Sequence, residues 1–116
     1  MSQIALNQNL IFLMIFILFY LGDLMELNFI RNELDKLDNE LMSVLAKRMD
    51  LVLEVAAYKE KNNLPLCQQK RENEIFEAKR ALARKYGLNE KLVEDLFKRI
   101  IKDSIRIQQE ITRREN

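Results

Sequence analysis

The stretch LDKLDNELMSVLAKRMDLVLEVAAYK, residues 34–59, decides the fold class of this chain. Its apolar residues recur in steps of three, four or a full seven, which is the spacing of a helix face that packs against another helix. The repeat begins slightly earlier, and its members are Ile30, Leu34, Leu37, Leu41, Val44, Leu51, Val55 and Tyr58. No Gly or Pro interrupts residues 26–64. The sequence therefore predicts one helix of more than thirty residues, which ends at Asn62, Asn63 and Pro65.

Two more helices are expected in the rest of the chain. The first runs from about Arg71 to Tyr86, and Gly87 suits its C-terminal cap. Asn89 can cap a third helix, whose apolar stripe continues to Ile111. The 116 residues include only two Gly and one Pro, which is too few for the many turns of a sandwich or barrel. The predicted fold class is all-α, with three helices in the order long, short, long.

Composition and charge exclude several functional classes. The chain has 19 Lys and Arg, 18 Asp and Glu, no His and a formal net charge of +1, so no broad basic field supports nucleic-acid binding. Mechanisms that need a histidine base or a histidine ligand are excluded. Cys67 is the single cysteine, so it cannot form an internal disulfide, and without a histidine base we expect it to be structural or incidental. The scattered acidic residues form no spaced ligand set, so no metal is expected, and no Gly-rich phosphate loop occurs.

The first 25 residues differ sharply from the rest. They contain one charged residue, Asp23, and a run of twelve apolar residues at 10–21. This run is shorter than the roughly 20 residues of a membrane-spanning helix, and the pattern of a secretory signal is incomplete because no Lys or Arg precedes the run. A start-site artefact, a short membrane anchor and a signal-like segment all stay open. We divide the chain into this extension, 1–25, and a domain, 26–116, which we expect in the cytoplasm, with membrane contact only if residues 10–21 are translated and retained.

The predicted first helix is too long for the domain that contains it. A helix of about 38 residues extends for roughly 57 Å, well beyond a compact domain of this size. Its overhang must pack on another surface, and a second copy of the chain is the simplest choice. We therefore expect a homodimer in which the long helices intertwine into a helical bundle.

Several polar residues occupy positions where the helical pattern calls for apolar ones. Arg48 lies on the repeat of the first helix, and Lys59 follows eleven residues later on nearly the same face. On the third helix, Ser104 and Gln108 are four residues apart and therefore face the same way. These four side chains are candidates for one binding site between the two helices.

A further charged pair, Arg71 and Glu72, stands at the entrance to the second helix. Each of these polar residues also has an ordinary structural interpretation, such as an ion pair, a helix-dipole partner or a polar layer that fixes helix register. Together, however, two cations, a hydroxyl, an amide and an Arg–Glu pair would line one bundle interior. That combination favours a pocket for a small dianion.

Three stretches carry a resemblance to a known family: residues 34–59 quoted above, NNLPLCQQKRENEI at 62–75 and VEDLFKRIIKDSIRIQQ at 93–109. Together they strongly resemble the all-helical class of chorismate mutases, over nearly all of residues 26–112. The resemblance implies conversion of chorismate to prephenate by a [3,3] pericyclic rearrangement, without a cofactor or a covalent intermediate. Such a reaction asks the protein to hold a flexible dicarboxylate in its reactive conformation and to stabilise negative charge that develops on the ether oxygen.

The resemblance also implies roles for individual residues. Lys59 and Gln108 match the pair that hydrogen-bonds the ether oxygen, and with Arg48 they make up the expected catalytic set. Arg48 matches a clamp on one substrate carboxylate, and Ser104 matches a residue near a carboxylate. Arg31 matches an arginine that enters from the partner subunit. Since Arg31 lies about 25 Å from Arg48 along a straight helix, both cannot reach one small ligand from one chain.

The remaining matches are Glu72, Arg71 and Gln68. Glu72 matches the residue that binds this hydroxyl, and Arg71 matches a further residue that lines the site. Gln68 occupies a position where the family often carries Asp, so a backbone N–H contact would survive there but a carboxylate contact would not. Gln108 is an amide where some members carry Glu, and an amide donates a hydrogen bond at any pH. We therefore expect activity over a broad pH range around neutrality.

Two other interpretations stay open. An isochorismate pyruvate lyase on the same fold would bind a related dianion, although Arg71, Glu72 and Ser104 favour the mutase. A non-catalytic helical interaction module needs no ligand, and it predicts that apolar replacements of Arg48 and Lys59 are neutral or stabilising. We expect no fused dehydratase, dehydrogenase or amino-acid-sensing domain in a chain of this length. The resemblance and the length together imply a stand-alone enzyme of phenylalanine and tyrosine synthesis.

Overall fold

The structure is a computed structural model that describes residues 2–115, and the side chains of residues 7–113. Three α-helices account for nearly all of this range: α1 spans Ser2–Lys61, α2 spans Gln69–Tyr86 and α3 spans Glu90–Glu115. Within the described range there is no strand. The all-α class and the long, short, long order of the helices are therefore confirmed.

Helix α1 is longer than the sequence pattern predicted. The expected helix started near residue 26, whereas α1 begins at Ser2 and passes through the apolar run at 10–21 without a break. Good helix formers such as Leu and Met are frequent in this run, and Gly22 lowers the helix propensity without ending the helix. Among the described residues, α1 is also the one helix long and apolar enough to cross a membrane, judged by length and composition, with a mean hydropathy of 2.2 over 18 residues.

The end of α1 is set by a Schellman motif. Asn63 adopts the left-handed backbone conformation, with φ 54°. The Leu64 N–H donates to the Lys59 carbonyl at 2.8 Å, and the Asn63 N–H donates to the Glu60 carbonyl at 3.2 Å. These bonds satisfy carbonyls that a helix end otherwise leaves without partners. Asn tolerates this conformation better than most residues, so the predicted end of the helix is confirmed.

Two predicted caps produce the short connection between α2 and α3. Gly87 has φ 68°, and the Leu88 N–H donates to the Ala83 carbonyl at 2.8 Å. The Asn89 side-chain oxygen accepts a hydrogen bond from the Leu92 N–H at 3.0 Å, which caps the start of α3. The connection brings α2 and α3 into contact with each other.

Charged side chains join the packing between α2 and α3. The Lys79 ammonium lies 5.3 Å from the centre of the Phe97 ring, which is within the range of a cation–π interaction. Arg80 pairs with Glu94 at 3.5 Å. Lys79 stands among the apolar residues of α2 in the sequence. It can occupy this position because its charge lies over an aromatic ring.

The chain divides into two compact units between Val44 and Leu45. In the first unit the described residues belong to α1 alone, and none of the side chains described there is buried. The second unit has a small core, whose buried apolar side chains are Val52, Ala56, Ala83, Val93 and Ile101. These residues come from all three helices and hold the second unit together.

The apolar repeat that predicted α1 is not the face that packs within the chain. Its members stay exposed, from 45% for Val55 to 63% for Tyr58. In the second unit α1 instead buries Val52 and Ala56, which are four residues apart. The repeat and the packing face are neighbouring stripes of one helix, so periodicity alone did not separate them. That the exposed repeat packs on a second copy stays a prediction.

Candidate active site

A cavity of about 180 Å³ lies in the second unit, with walls from α1, the connection after α1, α2 and α3. It is smaller than the roughly 300–1,000 Å³ of most ligand pockets, so it suits a small metabolite. Seven of the eight residues singled out from the sequence line it: Arg48, Lys59, Gln68, Arg71, Glu72, Ser104 and Gln108. The rest of the wall is mostly aliphatic.

Helix α1 contributes one row of side chains to this cavity. The row is Arg48, Val52, Val55 and Lys59, in steps of four, three and four. Because a helical turn has about 3.6 residues, these positions stay on one side of the helix. The two cations stand at the ends of the row, roughly 16 Å apart along the axis, with the valines between them. The cavity is thus apolar in its middle and positively charged at both ends of this wall.

Helix α3 contributes two buried polar side chains, Ser104 at 6% exposure and Gln108 at 5%. Arg48 Nη1 donates to Ser104 Oγ at 3.0 Å, and the same hydroxyl donates to the Ile100 carbonyl at 2.7 Å. The single proton of the hydroxyl is therefore used within α3, and its oxygen is used by the guanidinium. Ser104 holds Arg48 in place through this bond.

Lys59 and Gln108 form a second contact between α1 and α3. Lys59 Nζ donates to Gln108 Oε1 at 3.1 Å and to the Leu66 carbonyl at 2.7 Å. Gln108 Nε2 donates to the Ser104 carbonyl, one turn earlier, at 3.2 Å. An ammonium carries three hydrogens and an amide NH₂ carries two. Each group therefore keeps one hydrogen for a ligand, and the two donors are neighbours.

The start of α2 and the residue before it supply the remaining polar wall. The Gln68 carbonyl accepts a hydrogen bond from the Glu72 N–H at 3.1 Å, in the first turn of α2. Glu72 is half-buried, and its Oε1 accepts from the Cys67 thiol at 3.7 Å. Arg71 is exposed and pairs with Glu74 at 3.7 Å, a surface contact of small energetic value. Of the three cations in the cavity wall, Arg71 is therefore the one whose side chain can most easily turn towards a ligand.

Burial lowers the pKa of two of these cations. The pKa of Arg48 is lowered by burial first, and the like charge of Arg71 adds to the effect. The pKa of Lys59 is lowered from 10.5 by burial, while Cys67 and Glu72 oppose this shift. A lowered pKa means that the surroundings disfavour the charged form, and a bound anion would reverse that. The electrostatics of the cavity therefore favour an anionic ligand.

Two contributors to the cavity were missed by the sequence analysis. The Leu66 backbone carbonyl fixes Lys59, and Cys67, which we interpreted as structural or incidental, lines the wall. A backbone acceptor leaves no side-chain signature in a sequence. The one available signal was Pro65, which restricts the backbone of this connection and so limits where the next carbonyl points.

Arg31, the eighth predicted site residue, does not line the cavity. It is an exposed residue of α1 in the first unit. Its assignment to the site of a second copy concerns an assembly, so it stays a prediction. The chemical roles of the seven lining residues stay predictions as well, because a place in the cavity wall does not show what a side chain does there.

A larger and more open depression is lined by α3 alone, from Arg99 to Gln109. One helix cannot surround a ligand. Arg106, the central cation there, already pairs with Asp103 at 2.8 Å and with Glu110 at 2.7 Å. The cavity between Arg48 and Lys59 is therefore the candidate active site.

Fold and cavity together define a small all-helical protein with a polar, cationic pocket. A model of the family described as chorismate mutase type II matches residues 30–109, and the chain belongs to this family. It is 37% identical over 75 residues to the T-protein of Haemophilus influenzae. This match covers 65% of this chain and 20% of that protein. It is 31% identical over 91 residues to the 4-amino-4-deoxychorismate mutase of Streptomyces venezuelae. That match covers 78% of this chain and 88% of the relative.

A third relative is the chorismate mutase of Methanocaldococcus jannaschii, 26% identical over 81 residues, which covers 70% of this chain and 82% of that protein. The matches thus fall into two groups by length. The chain spans about a fifth of the T-protein and of a bifunctional chorismate mutase/prephenate dehydratase from Buchnera aphidicola. It spans most of the two shorter relatives. The resemblance deduced from the sequence is confirmed at the level of the family.

Proposed function

We propose that this chain catalyses the rearrangement of chorismate to prephenate, a single intramolecular step of phenylalanine and tyrosine biosynthesis. In this step the ether C–O bond breaks while a C–C bond forms within the same molecule, so no group is transferred to the protein. Family membership supports the proposal, and so does a cavity of metabolite size with three cations and one carboxylate in its wall. The protein's task in such a step is to fix the reactive conformation and to stabilise developing charge.

The substrate carboxylates require cations that are held in place. Arg48 meets this requirement because Ser104 anchors its guanidinium at 3.0 Å, which leaves the other nitrogens of the fork for a carboxylate. Burial of Arg48 strengthens such a charge-assisted bond, since less water competes for it. Arg71, at the exposed edge of the cavity, supplies additional positive charge.

The observation that carries the proposal is the contact of 3.1 Å between Lys59 Nζ and Gln108 Oε1. This bond turns the amide so that its NH₂ group is the donor end, and it leaves one hydrogen on each group for a ligand. Two adjacent donors of this kind suit an ether oxygen that gains negative charge in the transition state. Neither donor needs to reorganise when the charge develops, because both are already fixed by protein groups.

The substrate hydroxyl is assigned to Glu72, with the backbone near Gln68 beside it. The Glu72 carboxylate accepts only a weak bond from the Cys67 thiol at 3.7 Å, so it keeps acceptor capacity for a hydroxyl. Gln68 lines the same wall as a neutral side chain. This arrangement assigns recognition of the hydroxyl mainly to one carboxylate.

The proposal includes a homodimer in which Arg31 completes the site of the other copy. Two observations support it: the apolar repeat of α1 is exposed in a single chain, and Arg31 does not line the cavity of its own second unit. An exposed helical repeat of this length is typical of a surface that another helix covers.

The direct test is product identification with the full chain. Chorismate, isochorismate and 4-amino-4-deoxychorismate are supplied separately, with loss of substrate followed by absorbance and the products identified by mass spectrometry and NMR. We expect prephenate from chorismate at a rate well above the uncatalysed reaction. Salicylate and pyruvate from isochorismate alone would instead favour a lyase. Preferential turnover of the 4-amino substrate would give this chain the activity for which its Streptomyces relative is named.

A variant pair links turnover to the cavity. Arg48→Ala removes the anchored cation, and we expect kcat/KM for chorismate to fall by about 10³-fold, since a buried charged hydrogen bond is lost. Arg106→Ala is the matched control because Arg106 lies on the outer side of α3 in surface ion pairs, and its activity should stay within about twofold. Circular dichroism confirms that both variants are helical. Equal loss in both, or loss in neither, would contradict the assignment of the cavity.

A further inference from the structure

The first part of α1, residues 7–25, exposes an unusual concentration of large apolar side chains; we refer to it as the apolar segment. All twelve side chains of the run at 10–21 are exposed, from 44% for Leu21 to 77% for Phe12. Soluble proteins rarely leave a continuous apolar surface of this kind open to water. The question is which medium or partner covers it.

The apolar segment is apolar around its whole circumference. Twelve consecutive residues make more than three helical turns, so the run at 10–21 presents Leu, Ile, Met, Phe or Tyr in every direction. A partner helix in a coiled coil covers one stripe and leaves the opposite side in water. The repeat from Ile30 to Tyr58 has such a stripe, with charged residues between its members, whereas the run at 10–21 has no polar side to turn outward. A helix that is apolar all round is typical of a surrounding apolar medium.

Charge and length fit a lipid bilayer. No charged side chain occurs from Asn7 to Gly22, and Asp23, Glu26 and Arg31 follow in quick succession. The 16 residues from Asn7 to Gly22 rise by about 24 Å, which is shorter than the roughly 30 Å of a hydrocarbon core but long enough for deep insertion into it. Tyr20 stands near the charged boundary, where aromatic side chains with a polar tip are favoured at the lipid–water interface.

We propose that the apolar segment inserts into the hydrocarbon layer of a lipid bilayer and so holds this chain at a membrane. Its binding is driven by burial of apolar surface, because the segment carries no cation to attract anionic lipid. Binding to uncharged vesicles is therefore expected, with little dependence on salt. The inference is independent of the activity proposed above, since the segment contains none of the residues assigned to the cavity.

The absence of Trp from the sequence allows a single reporter to be placed at will. In the full chain, Phe16→Trp places the reporter at the middle of the run, and Tyr86→Trp places a control at the exposed end of α2. With phosphatidylcholine vesicles we expect a blue shift of the Phe16→Trp emission. We also expect strong quenching when the acyl chains carry bromine, and neither change in Tyr86→Trp.

Each other outcome overturns the proposal. Emission that does not change with vesicles would mean that the segment stays outside lipid. Emission that is blue-shifted but unquenched by brominated lipid would place the segment against protein, in a dimer or an aggregate. Equal quenching at both positions would show that the chain unfolds on the vesicles rather than inserting the segment.

A second pair of variants measures the driving force. Ile15→Lys introduces a charge in the run, and Leu92→Lys introduces the same charge at a similarly exposed apolar position of α3. In vesicle flotation we expect Ile15→Lys to lower the bound fraction by about tenfold or more, and Leu92→Lys to leave it unchanged. Unchanged flotation of Ile15→Lys would contradict the proposal. Chorismate turnover of Ile15→Lys, measured in parallel, separates this result from a failure of the proposed activity.

Discussion

The two units of this chain differ in the side chains that they expose and bury. In the first unit, Phe12 and Phe19 are 77% and 73% exposed, and none of the described side chains is buried. In the second unit, the polar Ser104 and Gln108 are only 6% and 5% exposed. Large apolar side chains are thus exposed in the first unit, whereas the second unit buries two polar side chains beside its apolar core.

The difference teaches that burial follows the availability of partners. Ser104 and Gln108 tolerate burial because each polar atom has a hydrogen-bond partner, from Arg48 and Lys59 or from the carbonyls of α3. Within the described residues of the first unit, the apolar side chains have no second helix or strand to pack against. Large apolar side chains therefore stay exposed in the first unit, while the second unit contains a formed cavity.

The strongest way to break this comparison is to show that the first unit takes part in catalysis. Arg48→Ala should lower kcat/KM by about 10³-fold and Arg31→Ala by about 10²–10³-fold. If Arg31 serves the site of the other copy, refolding the two variants together in equal amounts restores one intact site in each mixed dimer. Random pairing then gives about a quarter of the wild-type activity. Steady-state turnover of the mixture measures this recovery.

The control for this experiment is a chain that carries both substitutions. Mixed with Arg31→Ala, it leaves every site without Arg31, so no recovery is expected. Recovery in that control would point to an artefact of refolding. If the first mixture also stays inactive while both variants form dimers, Arg31 does not act across copies.

Gln108→Glu sharpens the other side of the comparison, the buried polar pair. An ionised carboxylate at this position still accepts from Lys59 but has no hydrogen to donate, so we expect kcat/KM to fall by about 10²-fold at pH 7–8. Activity should recover in acid, as the carboxyl becomes protonated and regains a donor. The pH profile of kcat/KM checks this directly. Gln109→Glu, at an exposed position next to it, is the matched control and should keep the wild-type profile.

The local features of the fold were predictable from the sequence because local chemistry determines them. Gly87 ends α2 because the turn requires a left-handed conformation, and Asn89 starts α3 because its side chain caps the free N–H groups. The spacing of Arg48 and Lys59 also predicted that both lie on one helix face, and the structure has both in the wall of one cavity.

What the sequence did not reveal depends on tertiary contacts. The choice of Val52 and Ala56 as the buried face of α1, rather than the more conspicuous leucine repeat, is determined by what packs opposite them. The Leu66 carbonyl that fixes Lys59 depends on the path of a connection, which no side-chain pattern encodes. The sequence also did not indicate that the repeat would stay exposed in the single chain. Periodicity identifies a packing surface but not the element that packs on it.

The lowered pKa of Lys59 gives a smaller effect, on the alkaline side. Catalysis by the ammonium should fall about tenfold per pH unit above the pKa of Lys59 in the folded protein, which lies below the ordinary 10.5. Between these two values the unfolded chain binds more protons than the folded one, so the free energy of unfolding rises with pH through that window. Below this pH window, the free-energy cost of burying the charged Lys59 is fully present.

The variant Lys59→Arg tests the assignment of the alkaline decline. Its guanidinium stays charged, so the alkaline decline of the residual kcat/KM should disappear. An unchanged decline would assign it to another group.

Asn89→Ala tests the second unit without touching its cavity. Loss of the hydrogen bond from the Leu92 N–H to Asn89 Oδ1, 3.0 Å long, should lower the free energy of unfolding by about 1 kcal/mol in urea titrations. Asn89→Asp keeps a capping oxygen and adds a charge that is favourable at a helix start, so it should retain the wild-type stability. Without urea, turnover should stay the same in both variants. The cap stabilises α3 but does not position the side chains of Ser104 and Gln108. A large loss of turnover in Asn89→Ala, with α3 still folded, would mean that Ser104 and Gln108 depend on the position of the whole helix. The contrast between the two units would then depend on how α3 packs, rather than on two hydrogen-bonded side chains.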